Sequence, residues 1–395
     1  MDAIVAERPS REISAQAETP SFLFSSPHFA IEAYGVFERI RTPAVGGGGA
    51  DSVLQAAVDA ALARARRAGQ ENPIVVGAIP FDSRQPSFLF APKTHRISAP
   101  RVATSAPEAK ADVPALWYRS VPGQRGFEEA VAKAVATFRD GHASKAVLSR
   151  ILEIEFAERV DAVAILEILR RQNPAGYHFH APLPDGGVLL GASPELLIRK
   201  IGGSIRSNPL AGSAKRVAES EEDACVGRRL LQSSKDNFEH RLVIDEIRRL
   251  LEPLCAELRI PDEPALMSTP TMWHLSTAIS GELADGRLSA LQLASLLHPT
   301  PAICGSPTAQ ARLLIERLEP FDRGFFAGIV GWCDENGDGE WAITIRCGTV
   351  NEMVVRLFAG AGIVEASDPR AEWAETEAKL ATMLRAFGIE RGIAQ

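Results

Sequence analysis

Apolar residues recur along this chain with two periods, which predict groups of helices and groups of strands. A spacing of three to four residues is typical of an amphipathic helix. It predicts helices over 51–69, 127–139, 161–171, 370–386 and, broken or continuous, 221–258. Alternation and short apolar runs predict strands over 73–81, 87–92, 145–156, 177–182, 187–193, 196–201, 272–283, 325–334, 340–350 and 354–359. Strands cluster with strands, so an α+β fold is favoured over a doubly wound sheet.

A Pro-, Ala- and Ser-rich stretch over residues 96–123 interrupts this pattern. Its weak periodicity predicts a surface linker. We place the main internal boundary there, between an N-terminal portion, 1–110, and a main portion, 111–395, of a single structural domain.

Composition excludes several classes of protein. The chain has 395 residues, 46% of them hydrophobic, and a net charge of −7, with no basic cluster to bind nucleic acid. Its five cysteines are scattered and never form a CxxC pair, which argues against a disulfide framework. No run of about 18 apolar residues predicts a membrane segment. We therefore expect a cytoplasmic protein with no nucleic-acid or membrane partner.

Two local patterns imitate metal sites. The segment that begins at Asp334 resembles the start of an EF-hand loop, but Ile345 stands where that loop needs a bidentate glutamate, so a hairpin turn is predicted. His178 and His180 share one face of a predicted strand, but no third zinc ligand follows at a suitable spacing.

Acidic residues on two predicted helices are stronger candidates for chemistry. Glu372, Glu375 and Lys379 share one face of the last helix, behind a small-residue loop that includes Gly360 and Gly362. They indicate either half of a hard-cation site or an ordinary solvated face.

Glu239 lies in line with Val243 and Leu250 on a partly apolar helix face. A half-buried carboxylate needs a cation, and a metal or an arginine would serve equally well.

Lys145 and Glu195 lie at the ends of predicted strands. Glu195 follows Pro194, where a strand breaks. Lys145 begins a strand directly after a helix, a position where a lysine is normally solvated, although a lysine enclosed in a site can act as a base.

Together, ten ordered segments resemble the chorismate-utilising enzymes and, among them, the isochorismate synthases of the catechol-siderophore type. They are KAVLSR (145–150), GASPELL (191–197), NPLAGSAKR (208–216), SSKDNFEHRLV (233–243), TPTMWHLST (269–277), LLHPTPAICGSP (296–307), RLEPFDRGFFAGIVGW (317–332), GEWAITIR (339–346), LFAGAGIV (357–364) and EWAETEAKL (372–380). The first 110 or so residues match only weakly. The resemblance implies two large antiparallel sheets packed face to face, helices outside and an active site between the sheets.

The resemblance also implies catalytic roles. Glu239, Glu372 and Glu375 match the positions that bind Mg²⁺, which would hold the ring carboxylate of chorismate. Lys145 matches the base that activates water for attack at C2, and it must be neutral to do so. Glu195 matches the acid that protonates the departing C4 hydroxyl, so its pKa must be raised.

The remaining matches form a binding shell. Arg346 and Lys379, with backbone amides between Gly360 and Gly362, match the groups that bind the enolpyruvyl carboxylate. The Gly212 amide matches one that meets the ring carboxylate, and His274 matches a histidine near the reacting hydroxyl, with its protonation role left open.

Three positions discriminate between family members. Ala211 stands where aminodeoxychorismate synthases carry a nucleophilic lysine, and Ser213 stands where anthranilate synthases carry threonine. We therefore expect water, not ammonia, as the nucleophile, a monomer and no glutamine amidotransferase subunit. Ala302, where salicylate synthases tend to carry threonine, favours release of isochorismate over its onward conversion to salicylate, which is the alternative function. The downstream route stays open, with siderophore biosynthesis favoured by analogy.

Overall fold

The computed structural model describes residues 19–49, 51–100 and 113–389. The strands in chain order are β1 (Phe22–Ser25), β2 (Ala30–Tyr34), β3 (Glu38–Ile40), β4 (Ile74–Ile79), β5 (Phe88–Ala91), β6 (Thr94–Ser98), β7 (Ala115–Val121), β8 (Lys145–Phe156), β9 (Tyr177–Pro182), β10 (Val188–Ser193), β11 (Leu196–Ile201), β12 (Ser204–Asn208), β13 (Leu210–Lys215), β14 (Cys255–Arg259), β15 (Ala265–Ser268), β16 (Met272–Ser276), β17 (Ile279–Leu283), β18 (Gly305–Ser306), β19 (Ile329–Asp334), β20 (Gly339–Ile343), β21 (Cys347–Asn351) and β22 (Val354–Val364). The helices are α1 (Val53–Arg67), α2 (Gln124–Arg139), α3 (Ala162–Gln172), α4 (Ser220–Gln232), α5 (Ser234–Leu251), α6 (Ala290–Leu297), α7 (Thr308–Leu318) and α8 (Pro369–Ala386).

The strands form two large sheets and one small one. A ten-stranded sheet runs β18-β8-β22-β21-β10-β9-β1-β2-β6, with β7 also paired to β8. A nine-stranded sheet runs β14-β17-β12-β11-β20-β19-β4-β5-β3, and β13-β16-β15 form the third. All the pairings are antiparallel.

The main core lies between the two large sheets. Phe22 of the ten-stranded sheet meets Phe90 of the nine-stranded sheet edge to face, with ring centroids 6.4 Å apart, and both side chains are buried. One apolar cluster contains residues of both sheets. Burial of such large rings is the main favourable contribution to folding, at about 25 cal/mol per Å² of apolar surface. The sheets are therefore packed face to face, as the resemblance implied.

Helices cover the outer face of the ten-stranded sheet. A second apolar cluster joins β8, β10 and β22 to α3 and α8 through residues such as Leu169 and Met383. Phe127 of α2 contacts Trp373 of α8 with ring centroids 5.8 Å apart. The α+β class and the outer helices predicted from the sequence are confirmed.

The chain crosses between the large sheets beside two predicted site residues. β10 lies in the ten-stranded sheet and β11 in the nine-stranded sheet, and Glu195 stands between them. β20 and β21 lie in opposite sheets, and Arg346 stands between them with a φ of 49°. A non-glycine residue in this left-handed region is held there only by its surroundings. The topology thus carries both side chains to the junction of the sheets.

Several predicted boundaries were wrong. The helix predicted over 221–258 is broken, one of the two forms expected: α4 ends at Gln232, and the Ser233 hydroxyl caps α5 by accepting from Asp236 N. Its predicted end was wrong, because α5 ends at Leu251 and residues 255–259 form β14. The predicted strands 272–283 and 340–350 each break into two. The predicted strand 354–359 continues to Val364 as β22.

The predicted linker over 96–123 is also wrong in part. Thr94–Ser98 and Ala115–Val121 are strands, while residues 101–112 and the proposed boundary at 110 lie outside the described residues. The N-terminal strands β1 to β3 complete both large sheets.

The two patterns that imitate metal sites belong to a hairpin turn and a buried strand. Asp334 N donates to Asp338 O across the turn that joins β19 and β20, which confirms the hairpin. His178 and His180 are buried in β9 against β1, and burial lowers the pKa of His178 to about 4. Within the described residues, no helix combines the length and apolarity that crossing a membrane requires.

Candidate active site

A cleft lies at the junction of the two large sheets. It brings together most of the residues predicted from the sequence: Glu195, Gly212, Glu239, His274, Ala302, Arg346, Gly360, Gly362, Glu375 and Lys379. Lys145 and Glu372 lie behind this lining. Lys145 contacts Glu239, and Glu372 lies one turn before Glu375 on α8.

Glu195 is buried at the crossover from β10 to β11. Its backbone N–H donates to Ser193 Oγ at 3.2 Å, and its Oε1 accepts from Leu210 N at 3.4 Å. Burial raises the pKa of Glu195 to about 7, against the opposing effects of the Leu210 amide and the charges of Lys145 and Arg346. A raised pKa is what a general acid at this position would need.

Lys145 is fully buried at the start of β8. Its Nζ lies 3.0 Å from Glu239 Oε1, in an ion pair without hydrogen-bond alignment. Burying an ammonium group is costly unless an anion compensates it, and Glu239 supplies that anion. The solvated alternative for Lys145 is therefore wrong, and the predicted base is in contact with a predicted metal ligand.

Glu239 depends on a glycine for its position. A Cβ on Gly362 would lie 1.9 Å from Glu239 Oε1, so only glycine leaves room for this carboxylate. The structure corrects one expectation here, because Gly360 and Gly362 lie inside β22 and not in a loop. β22 pairs with β21 only over residues 354–357, and beyond them its edge faces the cleft.

The acidic face of α8 is buried. Asp368 caps α8 by accepting from Ala371 N, and Glu372 lies in the first turn, where a helix favours negative charge. The Glu372 side chain is only 1% exposed and contacts Lys235 Nζ at 2.5 Å. Glu375 contacts Lys379 Nζ at 2.5 Å and accepts from Ser213 Oγ at 3.0 Å. The alternative of a solvated helix face is wrong.

The two carboxylates on α8 differ in their proton affinity. Burial, then the charge of Glu375, raises the pKa of Glu372 to about 7, although Lys235 opposes the rise. Burial also acts to raise the pKa of Glu375, but the Lys379 ion pair, with smaller contributions from Lys235 and Ser213, holds it below its ordinary value. Like charges one helical turn apart therefore leave a repulsion that a further cation would relieve.

The described residues contain no ready-formed group of three His, Cys, Asp or Glu side chains around a possible metal position. Each predicted metal carboxylate is instead paired with its own lysine: Glu239 with Lys145, Glu372 with Lys235 and Glu375 with Lys379. The sequence reasoning missed Lys235. Its place four residues before Glu239 on one helix face could have identified it.

Two side chains in the cleft have unpartnered nitrogen atoms. Arg346 Nε and His274 Nε2 are buried without a hydrogen-bond partner. Burial lowers the pKa of Arg346 to about 10, which still leaves it charged at neutral pH. Burial and the charges of Arg346 and Lys379 lower the pKa of His274 well below its ordinary value, so its imidazole is neutral. An unpaired buried guanidinium is a strong site for an anion.

The Ala211–Gly212 segment is held by a buried histidine. His240 Nδ1 lies 3.1 Å from Ala211 O, and its Nε2 lies 2.7 Å from Thr277 Oγ1. Gly212 has a φ of +81°, a conformation that favours glycine. On the opposite wall, Phe326 stacks on Phe358 with ring centroids 4.9 Å apart, beside Ala302 and Ile345.

Lys379, in contrast, is already engaged. Its Nζ donates to Gly360 O at 2.8 Å in addition to its ion pair with Glu375. It therefore links α8, at the rim of the cleft, to the edge of β22 that β21 does not pair.

Comparison with known proteins identifies the family of this chain. The family model described as "Chorismate binding enzyme" matches residues 92–388. The chain belongs to the chorismate-binding enzyme family. The resemblance found in the sequence is thereby confirmed, and residues outside the family match, such as those of β1 to β5, complete the two large sheets.

Relatives in this chorismate-binding family match nearly the whole chain. Isochorismate synthase EntC of Escherichia coli K12 is 46% identical over 98% of this chain and 100% of its own. Isochorismate synthase DhbC of Bacillus subtilis is 40% identical over 98% of each. A solved Bacillus anthracis structure, described as a candidate 2,3-dihydroxybenzoate-specific isochorismate synthase, is 40% identical, covers 94% of this chain and 97% of its own, and has a TM-score of 0.88.

Proposed function

We propose that this enzyme converts chorismate into isochorismate. One arrangement carries the proposal: the buried acid Glu195, with a pKa of about 7, shares a cleft with the buried Arg346, whose Nε has no hydrogen-bond partner. The first group suits proton donation to a leaving hydroxyl, and the second suits a carboxylate of a dianionic substrate. The identity of 46% and 40% to two isochorismate synthases over nearly the full chain supports the same reaction.

Substrate binding uses the cations of the cleft. Arg346 would bind the enolpyruvyl carboxylate through its unpartnered Nε, helped by Lys379 at the rim and by backbone amides of Gly360 and Gly362. The Gly212 amide would meet the ring carboxylate. Backbone must approach the anion closely at these positions, which is why glycine suits them.

Proton transfer uses one buried base and one buried acid. Lys145 would take a proton from the water that attacks C2. Glu195 would give its proton to the C4 hydroxyl, which then leaves as water, because hydroxide is a poor leaving group. One water enters and one departs, so the product is an isomer of the substrate. The neutral His274 would line the pocket near the reacting hydroxyl.

The acidic residues fit a magnesium ion in their chemistry. Glu239, Glu372 and Glu375 provide the carboxylate oxygens that Mg²⁺ prefers, and the Gly362 position leaves the space that Glu239 occupies. The mutual repulsion of Glu372 and Glu375 is a cost that a divalent cation would remove. When bound there, Mg²⁺ would neutralise the ring carboxylate of chorismate.

The lining of the cleft favours water over ammonia as the nucleophile. It also favours release of isochorismate over elimination of pyruvate. Ala211 and Ser213 lie on one wall and provide no nucleophilic lysine. Ala302, on another wall, supplies no hydroxyl of the kind expected in a salicylate synthase. We infer that the enzyme acts without a glutamine amidotransferase subunit and that isochorismate is its final product.

Three further expectations accompany the proposal. The five cysteines are all free, which is compatible with a reducing cytoplasm. Siderophore biosynthesis is the favoured destination of the product, since the solved Bacillus anthracis structure is described as 2,3-dihydroxybenzoate-specific. The Bacillus subtilis relative shares its name, DhbC. We expect a monomer, which light scattering on the purified protein tests.

The deciding experiment follows chorismate consumption with Mg²⁺ and identifies the product by chromatography. We expect isochorismate with Mg²⁺ and no turnover in excess EDTA. Salicylate with pyruvate as the main product would replace the proposal with the salicylate synthase alternative. Full turnover in EDTA would remove the metal assignment.

A further inference from the structure

Behind the lining of the cleft lies a lysine, Lys235, that is neither the proposed base nor part of the proposed substrate-binding shell. Lys235 lies in the first turn of α5, and its Nζ is 2.5 Å from Glu372 Oε1. A positive charge in the first turn of a helix is unfavourable, because the helix N-terminus is itself positive. The buried carboxylate of Glu372 offsets that cost. The position of Lys235 thus depends on Glu372.

A magnesium ion would have to compete with lysines for the predicted metal carboxylates. Three carboxylates (Glu239, Glu372 and Glu375) each form an ion pair with one lysine (Lys145, Lys235 and Lys379). A metal ion that binds one of these carboxylates is repelled by the ammonium group already there, most strongly where the pair is buried. A dianionic substrate would offset part of that repulsion.

Lys235 differs from Lys145 in having a route out. The Lys235 side chain is 28% exposed, whereas the Lys145 side chain is fully buried. The ammonium nitrogen of Lys235 lies 2.5 Å from Glu372 Oε1. Magnesium binds carboxylate oxygens at about 2.1 Å, so an ammonium group and a metal ion cannot share this oxygen without strong repulsion.

We propose that Lys235 is the resident counter-ion of Glu372 and that Mg²⁺ displaces it toward solvent. This inference rests on the proposed function, because it takes Glu372 as a metal ligand. Its consequence is that Lys235 weakens magnesium binding to the free enzyme. Chorismate adds negative charge to the site and therefore strengthens magnesium binding, so metal binding and substrate binding are coupled.

The test measures Mg²⁺ binding by calorimetry, and by the shift of the thermal unfolding midpoint, in the absence and presence of chorismate. Lys235→Gln keeps a hydrogen-bond donor but removes the charge, and Lys235→Arg keeps the charge. Arg249→Gln is the matched control, since it removes one positive charge from an exposed ion pair on the same helix. Without chorismate, we expect Lys235→Gln to bind Mg²⁺ about tenfold more tightly than the parent, a coupling of ordinary size. We expect Lys235→Arg and Arg249→Gln to show no such gain.

Two results would overturn the inference in different ways. If Lys235→Gln bound Mg²⁺ with unchanged or lower affinity while the parent enzyme still required the metal, Lys235 would be no competitor, and lower affinity would make it a positioning residue for Glu372. If neither parent nor variants bound Mg²⁺ even with chorismate, the metal site itself would be wrong and the inference would fail with it. Thermal unfolding provides a readout that does not depend on activity. In EDTA, Lys235→Gln should unfold at a lower temperature than the parent, and Mg²⁺ should restore its stability.

Discussion

Lys145 and Glu239 form a buried ion pair, with 3.0 Å between Nζ and Oε1, at the back of the cleft. The pair connects β8 to α5 and links the proposed base to a proposed magnesium ligand. Because Glu239 is also confined by Gly362, movement of this carboxylate affects the base and the metal site together.

Loss of the lysine should affect turnover more than binding. We predict that Lys145→Ala lowers kcat on the order of 10²-fold or more, the usual scale for a positioned proton-transfer group. KM for chorismate should change little, because Lys145 lies behind the lining of the cleft. Steady-state kinetics check this prediction. Near-parental kcat with a greatly raised KM would make Lys145 a charge partner for the substrate instead.

Glu195 should set the alkaline limit of activity. Its pKa is raised to about 7, so the protonated acid is present below that pH and is lost as the pH rises through it. We predict that kcat falls above about pH 7 and that Glu195→Gln costs on the order of 10²-fold and abolishes this alkaline limb. A pH–rate profile of both proteins measures it. An unchanged alkaline limb in the variant would assign the limb to another group.

Ala302 should influence the fate of the product. We predict that Ala302→Thr raises release of pyruvate and salicylate without abolishing isochorismate formation, because it places a hydroxyl in the wall of the cleft. Product chromatography after chorismate turnover decides it. If the variant made no more pyruvate than the parent, Ala302 would not be the discriminating position.

Gly362 should be intolerant of a methyl group. A Cβ there would overlap Glu239 Oε1, so we predict that Gly362→Ala displaces this carboxylate, weakens Mg²⁺ binding and lowers kcat. Gly286→Ala is the control, since a Cβ at Gly286 meets nothing within 4 Å. Mg²⁺ titration of activity and calorimetry compare the two. Parental magnesium affinity in Gly362→Ala would show that Glu239 is no ligand.

Glu340, a buried carboxylate outside the cleft, should make stability depend on pH. Burial raises its pKa from 4.5 to about 7, with Ser26 and Arg199 opposing the rise. The folded protein therefore resists ionisation of Glu340, a cost that is absent below the unfolded pKa and grows to about 3 kcal/mol as the pH rises through 7.

Urea denaturation at pH 5 and pH 8 tests this cost. We predict that Glu340→Gln loses less stability than the parent between the two pH values. Glu365→Gln, at an exposed position, controls for the loss of one negative charge. Equal losses in the parent and Glu340→Gln would show that Glu340 titrates normally.

Sequence periodicity determined much of the local structure. The bounds of β8 and of β9 were predicted correctly, since alternation of apolar residues is a local property of a half-buried strand. One boundary failed where a crossover decides it, at Arg346 between β20 and β21. Periodicity also left open whether the helix over 221–258 is broken, which the cap at Ser233 decides. A left-handed residue or a shared cap depends on contacts that periodicity does not encode.

The sequence by itself also identified the family and named ten residues that line the cleft, because ordered motifs preserve chemistry across relatives. Only the tertiary structure decided the charge pairing within it. Lys145 and Glu239 are far apart in sequence, as are Lys235 and Glu372, and each pair forms because the sheet crossovers and α8 bring them to one buried junction. Burial there makes pairing obligatory, since an isolated charge out of water costs several kcal/mol. The identities of the acidic residues were thus readable in the chain, while the lysine held against each one was set by the fold.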